Sequence, residues 1–150
     1  MFWGLKMPKI AIIYASGTGK TKKMAEAVAS GARSVSNVEV LLKNAFQAKA
    51  GEVSDADALI LGGSTYNGKL IKAMEPFLEG LDNLDLKGRT GAAFGSYGWS
   101  GEGVPILIDR MKSLGMSVIE PGITAVQMPG KEVLDRCFEL GKSMASSLTN

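Results

Sequence analysis

Three glycine-rich segments hold most of the side chains that could bind a small ligand. They read Ser16-Gly-Thr-Gly-Lys-Thr21, Gly63-Ser-Thr-Tyr-Asn-Gly68 and Gly95-Ser-Tyr-Gly-Trp-Ser-Gly101. Hydroxyls and free backbone amides bind phosphate, whereas tyrosine and tryptophan rings stack on flat ligands. Glycine lets the backbone come close to such a ligand. The segments therefore predict a site for a molecule with a phosphate and a planar aromatic part.

The first segment suits a phosphate because it joins a predicted strand to a predicted helix, where the helix dipole favours an anion. Its ending Gly19-Lys20-Thr21 is shared with the P-loop of nucleotide triphosphatases, but that motif requires a glycine where Tyr14 stands. The strand that ends at Leu61-Gly62 also lacks the aspartate with which such enzymes bind their metal ion. We therefore predict a phosphate site of another kind, with a plain helix-capping turn as the alternative.

The third segment contains two aromatic residues in a loop between a strand and a helix. Tyr97 and Trp99 are separated by one glycine, which is a poor position for core residues and a good one for stacking on a ligand. We expect Trp99 to stack and Tyr97 to assist, the alternative being that Trp99 is an ordinary surface aromatic. In the second segment Asn67-Gly68 predicts a turn, because both residues tolerate positive φ.

Composition limits the classes of function. The chain has 150 residues, of which 45% are hydrophobic and 21% are charged, as in an ordinary globular domain. Its net charge is +2 and its basic residues are spread along the chain, so we expect neither a nucleic-acid nor a membrane partner. The absence of histidine excludes imidazole metal ligands, and we expect no metal site.

The cellular location is predicted by default. The lone Cys137 excludes an internal disulfide, and residues 1–6 lack the long apolar core of a signal peptide. The apolar stretches are also too short to span a bilayer. We therefore expect a cytoplasmic protein with a single domain, residues 1–150, in which residues 1–8 form an N-terminal extension.

Apolar runs and glycine-marked turns alternate along the chain. Continuous apolar runs predict strands buried on both faces, and apolar residues spaced three and four apart predict helices. The predicted strands are 9–14, 38–42, 56–61, 89–94 and 116–126, and the predicted helices are 18–32, 70–81, 105–114 and 130–147. This alternation predicts an α/β fold, a doubly wound five-stranded parallel sheet between two layers of helices. In such sheets ligands bind beyond the carboxyl ends of the strands, which is where the three segments lie.

A receiver-like signalling domain has the same kind of sheet. It needs an acidic pair after the first strand and an aspartate at the end of the third. Ala15-Ser16 and Leu61-Gly62 stand at those places, which argues against a receiver.

The first segment and its surroundings resemble the flavodoxin family. The sequence Ile12-Ile-Tyr-Ala-Ser16, followed by Gly19-Lys20-Thr21 and then by Ala25 and Val28, is similar to the flavodoxin signature. The resemblance covers residues 9–148.

The other two segments refine this resemblance. Gly95-Ser-Tyr-Gly-Trp-Ser-Gly101 looks like a loop in the flavodoxin domain of A-type flavoproteins, which are also called flavodiiron proteins. Their diiron domain uses histidine ligands, so we do not expect that domain in this chain. Gly63-Ser64 departs from the Ser-Pro that commonly opens the other ring loop of the family.

The resemblance implies a short-chain flavodoxin-like sheet of strand order 2-1-3-4-5 that binds FMN non-covalently. It implies that the first segment holds the phosphate, that Thr65 and Tyr66 line the inner side of the flavin ring, and that Trp99 covers its outer side. The Asn67-Gly68 peptide is then the unit that turns its carbonyl towards the flavin on one-electron reduction, although Asn-Gly is an equally good simple turn. The implied FMN-binding residues are Ser16, Gly17, Thr18, Gly19, Lys20, Thr21, Ser64, Thr65, Tyr66, Asn67, Gly68, Ser96, Tyr97, Gly98, Trp99 and Gly101.

The function implied by the resemblance is electron transfer through FMN between redox protein partners. The alternative is an FMN-dependent reductase that passes electrons from NAD(P)H to quinones or another small acceptor. The sequence thus leaves open whether the protein is an enzyme or a non-catalytic carrier. Short loops around the ring give little wall for a second substrate, which favours the carrier.

Overall fold

The computed structural model describes residues 7–149. The strands are β1 (Lys9–Ala15), β2 (Glu39–Asn44), β3 (Ala58–Gly63), β4 (Thr65–Tyr66), β5 (Lys69–Leu70), β6 (Thr90–Tyr97), β7 (Ser117–Val118) and β8 (Ile123–Val126). The α-helices are α1 (Lys20–Arg33), α2 (Glu75–Leu81), α3 (Gly103–Ser113) and α4 (Lys131–Thr149), and short 3-10 helices cover Ala50–Val53 and Lys72–Met74. Most of the predicted N-terminal extension lies outside the described residues.

The main sheet is parallel and confirms the predicted strand order. Its strands run β2-β1-β3-β6-β7, and β8 also pairs with β6. Because β7 and β8 together take the place of the fifth predicted strand, this order is the predicted 2-1-3-4-5. The sheet therefore has the doubly wound α/β architecture that the sequence predicts.

Helices cover both faces of the sheet. On one face α2 and α3 pack against a core that contains Ile13 and Leu61, and on the other α1 and α4 pack against Ile12 and Ile60. Successive residues of a strand point to opposite faces, so the continuous apolar runs of β1 and β3 supply both cores. Within residues 7–149 no helix combines the length and the hydropathy that a membrane span requires.

The fifth strand differs most from its prediction. The sequence pattern predicts one strand over residues 116–126, whereas the structure has β7 and β8, separated by a turn with a cis Glu120–Pro121 peptide and Gly122 at φ +88°. Proline has no N–H to donate to a ladder, so the pairing stops there. As a result β7 pairs with the start of β6 and β8 pairs with its end.

Four other boundaries shift at the carboxyl edge. β3 and β6 run on to Gly63 and Tyr97, because parallel pairing with each other and with neighbouring strands continues beyond the apolar runs. The helix predicted over residues 70–81 begins only at Glu75, since residues 69–70 belong to a hairpin strand. The first helix begins at Lys20, two residues later than predicted.

Candidate functional site

The three glycine-rich segments meet at the carboxyl edge of the sheet around an open groove of about 410 Å³, named here the edge groove. Most of the predicted FMN-binding residues line it: Thr18, Lys20, Ser64, Thr65, Tyr66, Asn67, Ser96, Tyr97, Gly98 and Trp99. The other predicted residues belong to the same segments without lining the groove, and they are Ser16, Gly17, Gly19, Thr21, Gly68 and Gly101. The fold thus brings together segments that lie far apart in the chain.

The first segment is shaped as an anion site. Gly19 is the N-cap of α1 at φ +85°, and its N–H donates a hydrogen bond of 3.0 Å to Ser16 Oγ. The N–H groups of the first helical turn have no acceptor within the helix, and no acidic residue lies in that turn. The positive end of the helix dipole is therefore uncompensated, which suits a phosphate.

Thr21 and Ser96 meet beside this segment in the protein interior. Thr21 is 0% exposed and Ser96 is 5% exposed. Their hydroxyls lie 2.8 Å apart, and the Ser96 N–H also donates to Thr21 Oγ1 at 3.3 Å. The pair ties α1 to β6. The Thr21 hydroxyl therefore has a protein partner, and the group that Thr21 adds to the anion site is its backbone N–H in the first turn of α1.

The second segment forms a β-hairpin with a two-residue turn. β4 and β5 are antiparallel with Tyr66 opposite Lys69, and Asn67 and Gly68 between them have φ +50° and +73°. Two positive φ values are typical of a type I′ turn, for which Asn-Gly is the favoured sequence. The simple-turn interpretation of Asn67-Gly68 is therefore realised in this structure, and its turning on reduction stays a prediction.

Two hydroxyls at the base of the hairpin differ in their partners. Thr65 Oγ1 accepts a hydrogen bond of 2.8 Å from the N–H of Gly103, which ties the hairpin to the start of α3. Ser64 is 8% exposed, and its buried Oγ has no hydrogen-bond partner among the described residues. An unpaired buried hydroxyl costs about 1–3 kcal/mol. Since Ser64 also lines the edge groove, its hydroxyl marks a place where a ligand can supply the missing partner.

The aromatic residues of the groove differ in how much protein they contact. Trp99 is 96% exposed, so both faces of its indole are open to a ligand. Tyr97 is half-buried, and the backbone of Gly101 packs against its ring. The Tyr66 hydroxyl lies next to Gly17, where a Cβ would overlap it. Tyr66 therefore reaches from the hairpin to the first segment.

Gln127 also lines the edge groove, although it is not among the predicted FMN-binding residues. It follows β8 at φ +60°, and its N–H donates to the Tyr97 carbonyl at 2.7 Å. Its Oε1 accepts a hydrogen bond of 2.8 Å from Lys20 Nζ, so it links the fifth-strand loop to the first segment. Its position directly after the last predicted strand was an available signal. A lone glutamine, however, indicates no particular ligand.

Comparison with known proteins assigns the family. The family model described as Flavodoxin matches residues 12–141. The chain belongs to the flavodoxin family. Flavodoxins bind FMN, so FMN is the cofactor of this chain. This confirms the cofactor that the family resemblance implies.

The relatives include both flavodoxins and flavodiiron proteins, the two kinds of protein that the sequence resembles. A flavodoxin of Clostridium beijerinckii is 35% identical over 138 residues, which are 90% of this chain and 98% of that protein. The flavo-diiron protein FprA2 of Clostridium acetobutylicum is 32% identical over 144 residues, which are 93% of this chain and 36% of that protein. The chain therefore spans about a third of the length of the type A flavoproteins that it matches. A solved structure of a flavodoxin from the domain Archaea superposes with a TM-score of 0.88 at 36% identity, covering 95% of this chain and 99% of that one.

Proposed function

We propose that this flavodoxin-family protein is an electron carrier that holds FMN in the edge groove and exchanges electrons with other redox proteins. The observation that carries the proposal is the buried hydroxyl of Ser64, which has no hydrogen-bond partner within residues 7–149. It lies in a groove that also contains the start of α1 and the exposed ring of Trp99. These groups match a cofactor that has a phosphate at one end and a polar, planar ring at the other.

The phosphate is proposed to bind at the N-terminus of α1. Backbone N–H groups of residues 16–21 and the hydroxyls of Ser16 and Thr18 would surround it, in a loop shape that the Gly19 to Ser16 hydrogen bond maintains. Lys20 lines the same groove with its ammonium 2.8 Å from Gln127 Oε1, so neutral donors and the helix dipole are joined by one positive charge. This arrangement favours phosphorylated flavin over riboflavin.

The ring is proposed to bind between the hairpin and the third segment. Ser64 is the candidate hydrogen-bond partner for a polar edge of the ring, Thr65 and Tyr66 line one side, and Trp99 stacks on the other. Ser96, Tyr97 and Gly98 form the floor next to Trp99. When bound, FMN supplies reversible electron uptake, and the chain's residues orient the ring and shield part of it from water.

The carrier role rests on the shape of the groove and on the family. The edge groove is open, and the short loops that line it leave little wall for a second substrate over the ring. The Clostridium beijerinckii flavodoxin aligns over nearly its whole length, whereas the reductase alternative has no comparable support. We further propose that residues 1–150 form one FMN-binding domain, that the protein acts in the cytoplasm, and that its electron donor and acceptor are proteins.

Titration of the purified protein with FMN and with riboflavin tests the binding site. We expect quenching of flavin fluorescence, a yellow protein, and tighter binding of FMN. The variant Ser16→Ala removes the acceptor of the Gly19 N–H, so FMN binding should weaken by about 5- to 30-fold, equivalent to about 1–2 kcal/mol. Riboflavin binding should stay unchanged in this variant, because riboflavin has no phosphate. Folded protein that does not bind FMN would overturn the proposed site.

A second assay separates carrier from enzyme. Holoprotein is mixed with NADH or NADPH and a quinone in the absence of any other protein. We expect negligible steady-state turnover. Rapid turnover under these conditions contradicts the carrier proposal and leaves the FMN site intact.

A further inference from the structure

A second surface adjoins the edge groove and combines exposed apolar residues with lysines. It contains two cavities of about 1080 Å³ and 290 Å³ that share Pro76. We name it the lysine face and define it by Phe46, Lys49, Lys69, Lys72, Pro76 and Ile106. Its larger cavity shares Tyr66 and Asn67 with the edge groove, so the hairpin is the wall between the two.

The apolar part of the lysine face is exposed and locally well defined. Phe46 is 83% exposed and Ile106 is 38% exposed. The N–H of Phe46 donates a hydrogen bond of 2.9 Å to Asn44 Oδ1, so an ordered turn presents the phenyl ring to solvent. Single exposed apolar side chains are ordinary, but a contiguous set that lines two adjoining cavities indicates an interaction surface.

The charge of this face is positive. Lys49, Lys69 and Lys72 are exposed and form no ion pair with any residue in 7–149, and the only carboxylate lining the two cavities in that range is Glu75. At the opposite edge of the sheet a separate cavity is lined by Glu39, Asp55 and Asp57 together with Lys9, which forms ion pairs with Glu39 and Asp55. Three lysines that are unpaired within residues 7–149 therefore surround the cavities beside the edge groove, with Glu75 in the lining of the larger cavity and the Glu102 carboxylate close to Gly68 of the hairpin.

We infer that the lysine face docks an acidic electron-transfer protein, whose carboxylates surround an apolar centre. The inference rests on the proposed function, since the docked protein must exchange electrons with FMN across the hairpin. Complementary charge raises the rate of productive encounter, and apolar contact holds the encounter complex. A second copy of the chain fits poorly, because a two-fold contact would place the same lysines against each other.

Two haem proteins of opposite charge serve as probes in stopped-flow experiments with dithionite-reduced holoprotein. The acidic soluble haem domain of cytochrome b5 and the basic cytochrome c each accept one electron. Ionic strength is raised from about 0.01 M to about 1 M, which shortens the Debye length from about 30 Å to about 3 Å. We expect the second-order rate constant to fall at least about tenfold with cytochrome b5, and to stay level or rise with cytochrome c.

A matched pair of charge-reversal variants tests whether the charge effect on the rate constant comes from the lysine face. Lys72→Glu lies on the lysine face, and Lys142→Glu makes the same change of net charge at an exposed position of α4, on the other face of the sheet. At low salt we expect Lys72→Glu to slow reaction with cytochrome b5 by about 3- to 10-fold, and Lys142→Glu by less than about twofold. Lys49→Glu should behave like Lys72→Glu. FMN affinity should be unchanged in all three variants.

Three results would overturn the inference, and a fourth would bear on the proposed function instead. Equal slowing by Lys72→Glu and Lys142→Glu would show that only net charge matters and would overturn the inference. So would a rate constant with cytochrome b5 that does not depend on salt, or a dimer in sedimentation that Lys72→Glu dissociates. If the protein binds no FMN, the proposed function is contradicted instead. The visible spectrum of the purified protein shows this before any partner protein is added.

Discussion

Replacement of Trp99 by alanine separates cofactor binding from folding. The side chain is 96% exposed, so its removal takes away very few protein contacts. We expect the free energy of unfolding of the FMN-free protein to change by less than about 0.5 kcal/mol, as for other surface substitutions. If the indole stacks on the flavin, however, the same change removes the aromatic surface that covers one side of the bound ring.

The expected loss of affinity follows from the area that stacking would bury. Full burial of a tryptophan side chain covers about 150–250 Å², and stacking by one face covers about half of that. At about 25 cal/mol per Å² this corresponds to about 2–3 kcal/mol. The value agrees with the roughly 1–3 kcal/mol measured for the stacking of a base on an aromatic side chain. A loss of about 2 kcal/mol weakens FMN binding about 30-fold.

Fluorescence titration gives the FMN dissociation constant, and urea unfolding of the FMN-free protein gives its stability. Trp99→Phe serves as a conservative variant that should retain most of the affinity. Phe46→Ala is the matched control, because Phe46 is an 83% exposed aromatic residue outside the edge groove and should not affect FMN binding. An unchanged dissociation constant for Trp99→Ala would refute the stacking role, and a large loss of stability would refute the argument from exposure.

Three further predictions concern the interior. Thr21→Val keeps the shape of the side chain but leaves the buried Ser96 hydroxyl without its partner, so the free energy of unfolding in urea should fall by about 1–3 kcal/mol. Gly62→Ala places a methyl group against the Phe94 ring, and the melting temperature should fall by an amount equivalent to about 1–3 kcal/mol. Burial raises the pKa of the Cys137 thiol from 9.0 to about 12, so a thiol reagent should not label the native protein near neutral pH. Because folding raises this pKa, its contribution to stability is complete below about pH 9 and is lost as the pH rises towards about 12, which urea unfolding at several pH values would measure.

Each of these predictions has a control. Thr21→Ser keeps the hydroxyl and should lose less stability than Thr21→Val, so the reverse order would contradict the role of the hydrogen bond. An added Cβ at Gly51 has no heavy atom within 4 Å, and Gly51→Ala should change stability by less than about 0.5 kcal/mol. Equal melting temperatures for the two alanine variants would contradict the packing argument at Gly62. Rapid labelling of native Cys137, at the rate seen in urea, would show that the thiol is not buried.

The general architecture and the location of the site could be predicted from the sequence alone. The apolar run of β1 and the spacing of apolar residues in α1 are local patterns, and each specifies one type of element. The order of elements then places the three glycine-rich segments at one edge of a parallel sheet. Each segment alone also fits a simple turn, a helix cap or a surface aromatic, and it is the three segments together that predict a phosphate and a planar ring.

Only the tertiary structure decided which of these side chains line the edge groove and which have partners within the protein. The Thr21 hydroxyl is taken up by Ser96, which is 75 positions away, and the Lys20 ammonium by Gln127, which is 107 positions away. The division of the fifth strand depends in the same way on where β6 offers partners. Local patterns set the type of each element because they reflect preferences of neighbouring residues. The Pro121-Gly122 pair was a local signal for the break in the fifth strand, whereas hydrogen-bond partners are set by packing between distant segments, which no local pattern contains.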